Sequence, residues 1–284
     1  MTKINQTVLM SGADYFAVEE LNPYSHKDDQ PDKAVAAIEF ASIKSALEDS
    51  GVTVVQIDAP EGCQDGIYTA NWGLCRGERA ILASLPNMRA KEEYYARQAL
   101  EDEGFEVIPA PYHFSGQGDA LPCGDLLFAG QTYRTDPRMH QFIAEHLGFE
   151  VISLETVPAV DASGRMIINE ITGWPDSFFY DIDLALSILT PELIAWCPEA
   201  FTPASQAKIK ALSIEKIEVD YHEAIEGFAC NLVSTGEAVI MSDKAPKLQA
   251  AIEEKGLTTI TPEITELAKG GGYIRCTTLA LDNA

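Results

Sequence analysis

One pattern, recurring five times, constrains this chain more than any other: a helix end, a glycine and an alternating apolar run. The first copy reads Ala46-Leu47-Glu48-Asp49-Ser50-Gly51-Val52-Thr53-Val54-Val55. Further copies run from Ala99 through Gly104 to Ile108, from Ile143 through Gly148 to Ile152, and from Ala251 through Gly256 to Ile260. A weaker copy, Ala211 to Val219, lacks the glycine. Each predicts a helix stopped by a glycine just past its end and followed by a short strand with period-two alternation. A unit this small cannot bury its own apolar face, so the five units should pack around a shared centre. The competing reading is a generic α/β protein whose helix–strand junctions look alike. The early strand Thr7-Val8-Leu9-Met10 leads into Ser11-Gly12-Ala13, which lacks the glycine-rich fingerprint of a dinucleotide fold, and no phosphate-binding GxxxxGK[ST] run occurs.

Each unit then carries a second run in which an amide, carboxylate or thiol interrupts an apolar segment. These runs are Asp65 to Gly73 with Asn71, Phe114 to Leu121 with Asp119, Phe178 to Leu186 with Asp181 and Asp183, Phe228 to Val233 with Asn231, and the run holding Cys276. If the units close into a ring, these side chains converge on its axis. Cys276 follows Gly270-Gly271-Gly272, and such a loop lets backbone approach a ligand closely. Arg275 beside it would favour the thiolate. Taken alone, Cys276 reads first as a buried cysteine on a terminal strand, and it is the rest of the chain that reverses this preference.

The other five cysteines, Cys63, Cys75, Cys123, Cys197 and Cys230, are scattered without CxxC spacing, which argues against a zinc site. Neither a signal peptide nor a membrane-length apolar run is visible, so the expectation is a cytoplasmic protein with reduced thiols. The net charge of −24 excludes nucleic acid and anionic membrane as partners. That charge could draw in a cation or serve solubility alone.

Several carboxylates around a thiol suit a planar guanidinium, whose donors they accept bidentately and whose central carbon a thiolate can attack. Carboxylates alone raise a thiol's pKa, so the bound cation should help stabilise the thiolate. Arg134, in Gly130-Gln131-Thr132-Tyr133-Arg134-Thr135-Asp136, is the candidate for a substrate carboxylate. A surface arginine beside a helix start is the alternative.

With these runs on the page, the chain resembles the guanidino-group-modifying enzymes of the pentein superfamily. These include arginine deiminases, dimethylargininases, cyanobacterial arginine dihydrolases and amidinotransferases. The likeness runs from Glu20-Leu21-Asn22-Pro23-Tyr24, through Tyr68-Thr69-Ala70-Asn71, Gly116-Gln117-Gly118-Asp119 and Tyr133-Arg134-Thr135-Asp136, to the glycine triplet and Cys276. It implies a five-bladed α/β propeller of ββαβ units, with residues 1–284 as a single catalytic domain. It implies Cys276 as nucleophile, Asp119 as the guanidinium-holding catalytic acid, Asp183 as the catalytic acid two residues after the histidine position, and Asn71, Arg134, Ser115 and Asn22 as substrate-binding residues. It further implies a small guanidino substrate, no cofactor and no metal, and leaves open a homo-oligomer.

Two departures bear on turnover. Asp181 stands where the resemblance expects a catalytic histidine, and Ser115 where it expects a glutamate. Asp181 could act as acid and base itself if crowding raised its pKa. His113 and His222 are the other candidates, although each reads first as a solvated or structural side chain. The expected reaction is cysteine-dependent hydrolysis of an arginine-like guanidine. Amidino transfer, or an arginine-binding protein without turnover, are the alternatives.

Overall fold

In a computed structural model, residues 2–86, 88–131 and 133–283 are described. They form five three-stranded sheets. The first sheet holds β1 (Thr7–Ser11) and β2 (Thr53–Ile57), with α1 (Lys33–Asp49) between them. The second holds β3 (Gly73–Arg76), β4 (Arg79–Leu82), α2 (Glu92–Asp102) and β5 (Glu106–Pro109). The third holds β6 (Ala120–Cys123), β7 (Leu126–Gly130), α3 (Arg138–Leu147) and β8 (Glu150–Leu154). The fourth holds β9 (Leu186–Thr190), β10 (Leu193–Trp196), α4 (Pro203–Ala211) and β11 (Glu215–Glu218). After the short helix α5 (Tyr221–Glu226), the fifth holds β12 (Val233–Ser234), β13 (Ala238–Ile240), α6 (Pro246–Glu254) and β14 (Thr258–Ile260).

The first two strands of a unit pair antiparallel, and a helix then carries the chain to a third, parallel strand. This is the ββαβ order that the family resemblance implies, and its helix–strand half is the junction the repeat predicts. The first unit obtains its inner strand from the other end of the sequence. There β15 (Leu279–Ala280) pairs antiparallel with β1, Val8 against Ala280 and Leu9 against Leu279. The ring is therefore closed by backbone hydrogen bonds, which give β1 a partner on each side rather than leaving it as an edge.

The repeat glycines sit where the pattern puts them. Gly51, Gly104, Gly148 and Gly256 have φ of 84°, 88°, 74° and 82°, the left-handed conformation that ends a helix without a Cβ penalty. The glycine-free copy ends differently: Leu212 leaves α4 in extended geometry, φ −72° and ψ 141°. Helix starts are set by side chains. Asp32 accepts from the amides of Ala34 and Val35, and Thr202 from that of Ser205.

Burial separates an inner from an outer layer. The inner strands β3, β6, β9, β12 and β15 are almost wholly buried, whereas β2, β5, β11 and β14 alternate between exposed and half-buried. Each inner strand is entered through a tight turn, and those turns carry the polar residues the sequence singles out. The run that follows the glycine triplet departs from expectation: Cys276 lies in a single 3₁₀ turn, Arg275–Thr277, which feeds the terminal strand rather than belonging to it. Among the described residues no helix is long and apolar enough to cross a membrane.

Candidate active site

Five turns bring their polar side chains to one place. Thr69–Trp72 presents Asn71, Gly116–Gly118 leads to Asp119, Ile182–Leu184 carries Asp183 with Asp181 just before it, the turn after Phe228 presents Asn231, and Arg275–Thr277 presents Cys276. All six are nearly inaccessible, with Cys276 at 3% and Asp183 at 0% exposure.

The contacts join them into one cluster. Asn71 Nδ2 donates to Asp181 Oδ2 at 2.9 Å and to the hydroxyl and carbonyl oxygens of Ser115 at 3.0 Å each. The Ile182 amide donates to Asp119 Oδ1 at 3.1 Å. The thiol of Cys276 meets Asp183 Oδ2 at 3.4 Å, and Asn231 Nδ2 donates to the sulfur at 3.1 Å. Arg134 pairs with Asp181 at 3.6 Å and lies over the Tyr180 ring, 4.1 Å from its centroid. It is thus turned inward, with its side chain 10% exposed, rather than lying on the surface.

Glycines make this crowding possible. A Cβ on Gly118 would sit 2.5 Å from Asn71 Nδ2 and 2.7 Å from Asp181 Oδ2. A Cβ on Gly130 would collide with the Asp119 carboxylate.

Among the described residues, three carboxylate oxygens, Asp119 Oδ2, Asp181 Oδ1 and Asp183 Oδ1, are buried without a hydrogen-bond partner. Leaving such atoms unpaired is costly, so each marks a place where a donor from elsewhere belongs. Electrostatics agree. Burial, then the neighbouring Asp181, pushes the Asp119 carboxyl up to about 7. The same two causes hold Asp183 well above the usual carboxylate range. Burial and then Asp183 push the Cys276 thiol up as well. A planar cation with several N–H donors would reverse all three effects.

The charge of Arg275 faces the thiol, as its position in sequence implies, but its hydrogen bonds go elsewhere. Its guanidinium donates to the Thr278 carbonyl at 2.7 Å and to Gln117 Oε1 at 2.8 Å, tying the third unit's turn to the closing strand. No hydrogen bond from its guanidinium to the sulfur is among its contacts, and burial lowers its own pKa. Asn22 lies at the glycine loop, where its Nδ2 donates to the Gly270 carbonyl at 2.9 Å. Tyr68 and Tyr180 hold the same loop through bonds of 2.6 Å to the carbonyls of Leu267 and Gly271.

The histidines lie elsewhere. The His113 ring faces Trp174, 6.3 Å between centroids, and both line a cavity of about 260 Å³ with Pro86, Met88, Ile171 and Thr172. His222 is exposed and pairs with Glu226. His140, absent from the sequence reading, is buried between Ser153 Oγ and the Gly130 carbonyl. Trp72 is core, donating to Glu92 at 3.1 Å.

Sequence reasoning missed Arg89. It is 3% exposed, donates to Asn71 Oδ1 at 2.8 Å, clasps Glu92 at 2.7 and 2.8 Å, and lies 3.7 Å from Asp65. The bonds from Arg89 and to Ser115 and Asp181 fix the orientation of the Asn71 amide. The only signal in the sequence was the Arg89–Glu92 spacing on one helix start.

Comparison with known proteins gives a consistent picture. The family model for N,N dimethylarginine dimethylhydrolase, eukaryotic, matches residues 14–282. The N(G),N(G)-dimethylarginine dimethylaminohydrolase of Mycobacterium tuberculosis is 31% identical over 270 residues, covering 94% of this chain and 83% of that protein. The substrate-bound N-terminal domain of ArgZ, a cyanobacterial arginine dihydrolase, superimposes with a TM-score of 0.87 at 27% identity, covering 98% of each chain. A variant of that domain covalently bound to a reaction intermediate gives 0.86 and 26%, with the same coverage. Of the full-length bifunctional ArgZ of Synechocystis the chain spans 37%.

Proposed function

The chain belongs to the N,N-dimethylarginine dimethylhydrolase family, and on that premise we propose that it hydrolyses the guanidino group of arginine or an arginine derivative. Residues 1–284 act as one catalytic domain. The observation that carries this reading is the set of three unpartnered, buried carboxylate oxygens around the Cys276 thiol. Their donor requirement is that of a guanidinium.

In this scheme Asp119, Asp181 and Asp183 hold the cation. Cys276 sulfur adds to the central carbon, giving an amidino thioether. Asp183, in contact with the sulfur, takes the thiol proton and returns it to the departing nitrogen as the C–N bond breaks. Water then adds to the same carbon, one of its protons passing by Asp183 to the sulfur as the C–S bond breaks and the other leaving to solvent, so that a ureido product and the free thiol remain. Asn71, with Ser115 and Arg89 behind it, fixes Asp181. Arg134 and Asn22 serve the remainder of the substrate, Arg134 by exchanging Asp181 for a substrate carboxylate. No step calls for a metal or cofactor.

A second reading, an arginine-binding protein without turnover, is favoured by one observation. Asp181 replaces the expected histidine and is already engaged by Asn71 and Arg134. One product analysis separates the readings. The protein is incubated with L-arginine and N,N-dimethylarginine, with and without glycine as acceptor, and the products are read by mass spectrometry. Citrulline or ornithine without acceptor supports hydrolysis. A new guanidino compound seen only with acceptor means transfer. Unchanged substrate that still raises the melting temperature means binding alone.

A further inference from the structure

The sulfur of Cys276 lies between two side chains of opposite hydrogen-bonding character. Asp183 Oδ2 is on one side at 3.4 Å, and the Asn231 amide donates from the other at 3.1 Å. Asn231 is fully buried, and its Oδ1 accepts from the backbone amides of Tyr273 and Cys276, both at 3.1 Å. With two donors fixed on the oxygen, the nitrogen has to face the sulfur. The backbone is built to hold it there. Phe228 sits at φ 51°, a left-handed conformation that a non-glycine residue adopts at a cost, and its carbonyl accepts from the Asn231 amide at 2.9 Å. The Phe228 ring is clamped between Tyr273, 5.4 Å away and stacked, and Tyr24 at 4.6 Å.

Around the sulfur the charged and titratable neighbours are Asp181 and Asp183, Arg275, and the phenols of Tyr24, Tyr68 and Tyr180. The carboxylates oppose a second negative charge, and Arg275 is spent on Gln117 and Thr278. Asn231 is therefore the side-chain donor aimed at the sulfur.

Building on the hydrolase reading, we propose that Asn231 is a catalytic residue that draws the proton shared by Cys276 and Asp183 onto the carboxylate. The S–H bond breaks and an O–H bond forms on Asp183. The pair keeps a single negative charge, which passes from oxygen to sulfur. An N–H bond to a thiolate is charge-assisted, whereas a neutral thiol is a weak acceptor, so the amide favours one side of this exchange. The proton is left on the group that can deliver it to the departing nitrogen.

Asn231→Asp tests this, because it keeps the oxygen that accepts from Tyr273 and Cys276 and removes the donor. Its carboxylate also opposes the thiolate, so the comparison of Asn231→Ser with Asn231→Ala is run beside it to isolate the donor. The folded protein is alkylated with iodoacetamide across a pH series, and Cys276 is followed by peptide mass spectrometry. Asn231→Asp should slow alkylation at neutral pH by at least about tenfold and move its rise upward by about one pH unit or more. Superimposable profiles would overturn the proposal. Asn231→Ser keeps a donor and Asn231→Ala does not, so this pair also decides the matter should Asn231→Asp not fold. Faster alkylation of the serine variant supports the role, and equal rates overturn it. If wild-type protein turns over no guanidine yet the profiles separate, the hydrolase reading falls and Asn231 keeps its role. Turnover with coincident profiles means the reverse.

Discussion

Asp119 is buried opposite Asp181, and its carboxyl titrates near 7. The folded state therefore holds this proton more tightly than the unfolded chain, whose aspartates titrate near ~4. The stability tied to Asp119 is fully present at acid pH and is lost as pH rises through about 7. Asn in its place would keep an oxygen for the Ile182 amide and turn an unpartnered oxygen into a donor facing carboxylates. Asp119→Asn should thus raise the melting temperature at pH ~8, by an amount corresponding to roughly 1–3 kcal/mol, and flatten its pH dependence. The same variant should bind guanidines at least about tenfold more weakly by calorimetry. A guanidine binding to the native protein near neutral pH should release protons, so the heat should depend on the buffer's ionisation enthalpy. Much of this cluster was legible in the sequence, because each polar residue interrupts an apolar run. Arg89, Tyr180 and Asn231's exact partners were not, since their contacts join residues far apart along the chain.

Among the elements, the helix–glycine–strand junctions were the most readable, because a left-handed helix stop is a local requirement and four glycines meet it. The glycine loop before Cys276 is held by something no local pattern reveals. Glu39, buried on α1, accepts from the amides of Thr265, Glu266 and Leu267. That one carboxylate fixes the approach to the loop that Tyr68, Tyr180 and Asn22 then clamp. Glu39→Gln replaces an acceptor with a donor facing those amides. It should cost roughly 2–4 kcal/mol in chemical denaturation. It should also lower any activity more than the loss of folded protein accounts for, because the Cys276 turn follows directly. The Cys276 turn itself read as strand because its β-branched neighbours, Thr277 and Thr278, favour strands. Their hydroxyls instead bond back to the carbonyls of Ile274 and Arg275 and close a tight turn.

For the whole molecule, the ring and its charge set the conditions of stability. β1 has β2 on one side and β15 on the other. Gln117 adds to this closure, accepting from the Ala280 amide and donating to its carbonyl. Truncation after Thr278 removes both links and opens an edge on β1. The shortened chain should lose its cooperative thermal transition or aggregate, as followed by circular dichroism and light scattering. The net charge of −24 works against compactness. The melting temperature should therefore rise with added monovalent salt as self-repulsion is screened.

The strand that seals the ring comes directly after the nucleophile's turn, and it pairs with a strand from near the other end of the sequence. A ribosome making this chain must reach Ala280 before β1 finds its antiparallel neighbour. Nascent fragments that stop before Cys276 carry the carboxylates of the earlier turns without the sulfur or the ring. Maturation of the site thus waits until the closing strand has been made. Its rate should be limited by the search between distant segments rather than by the quick formation of individual helices.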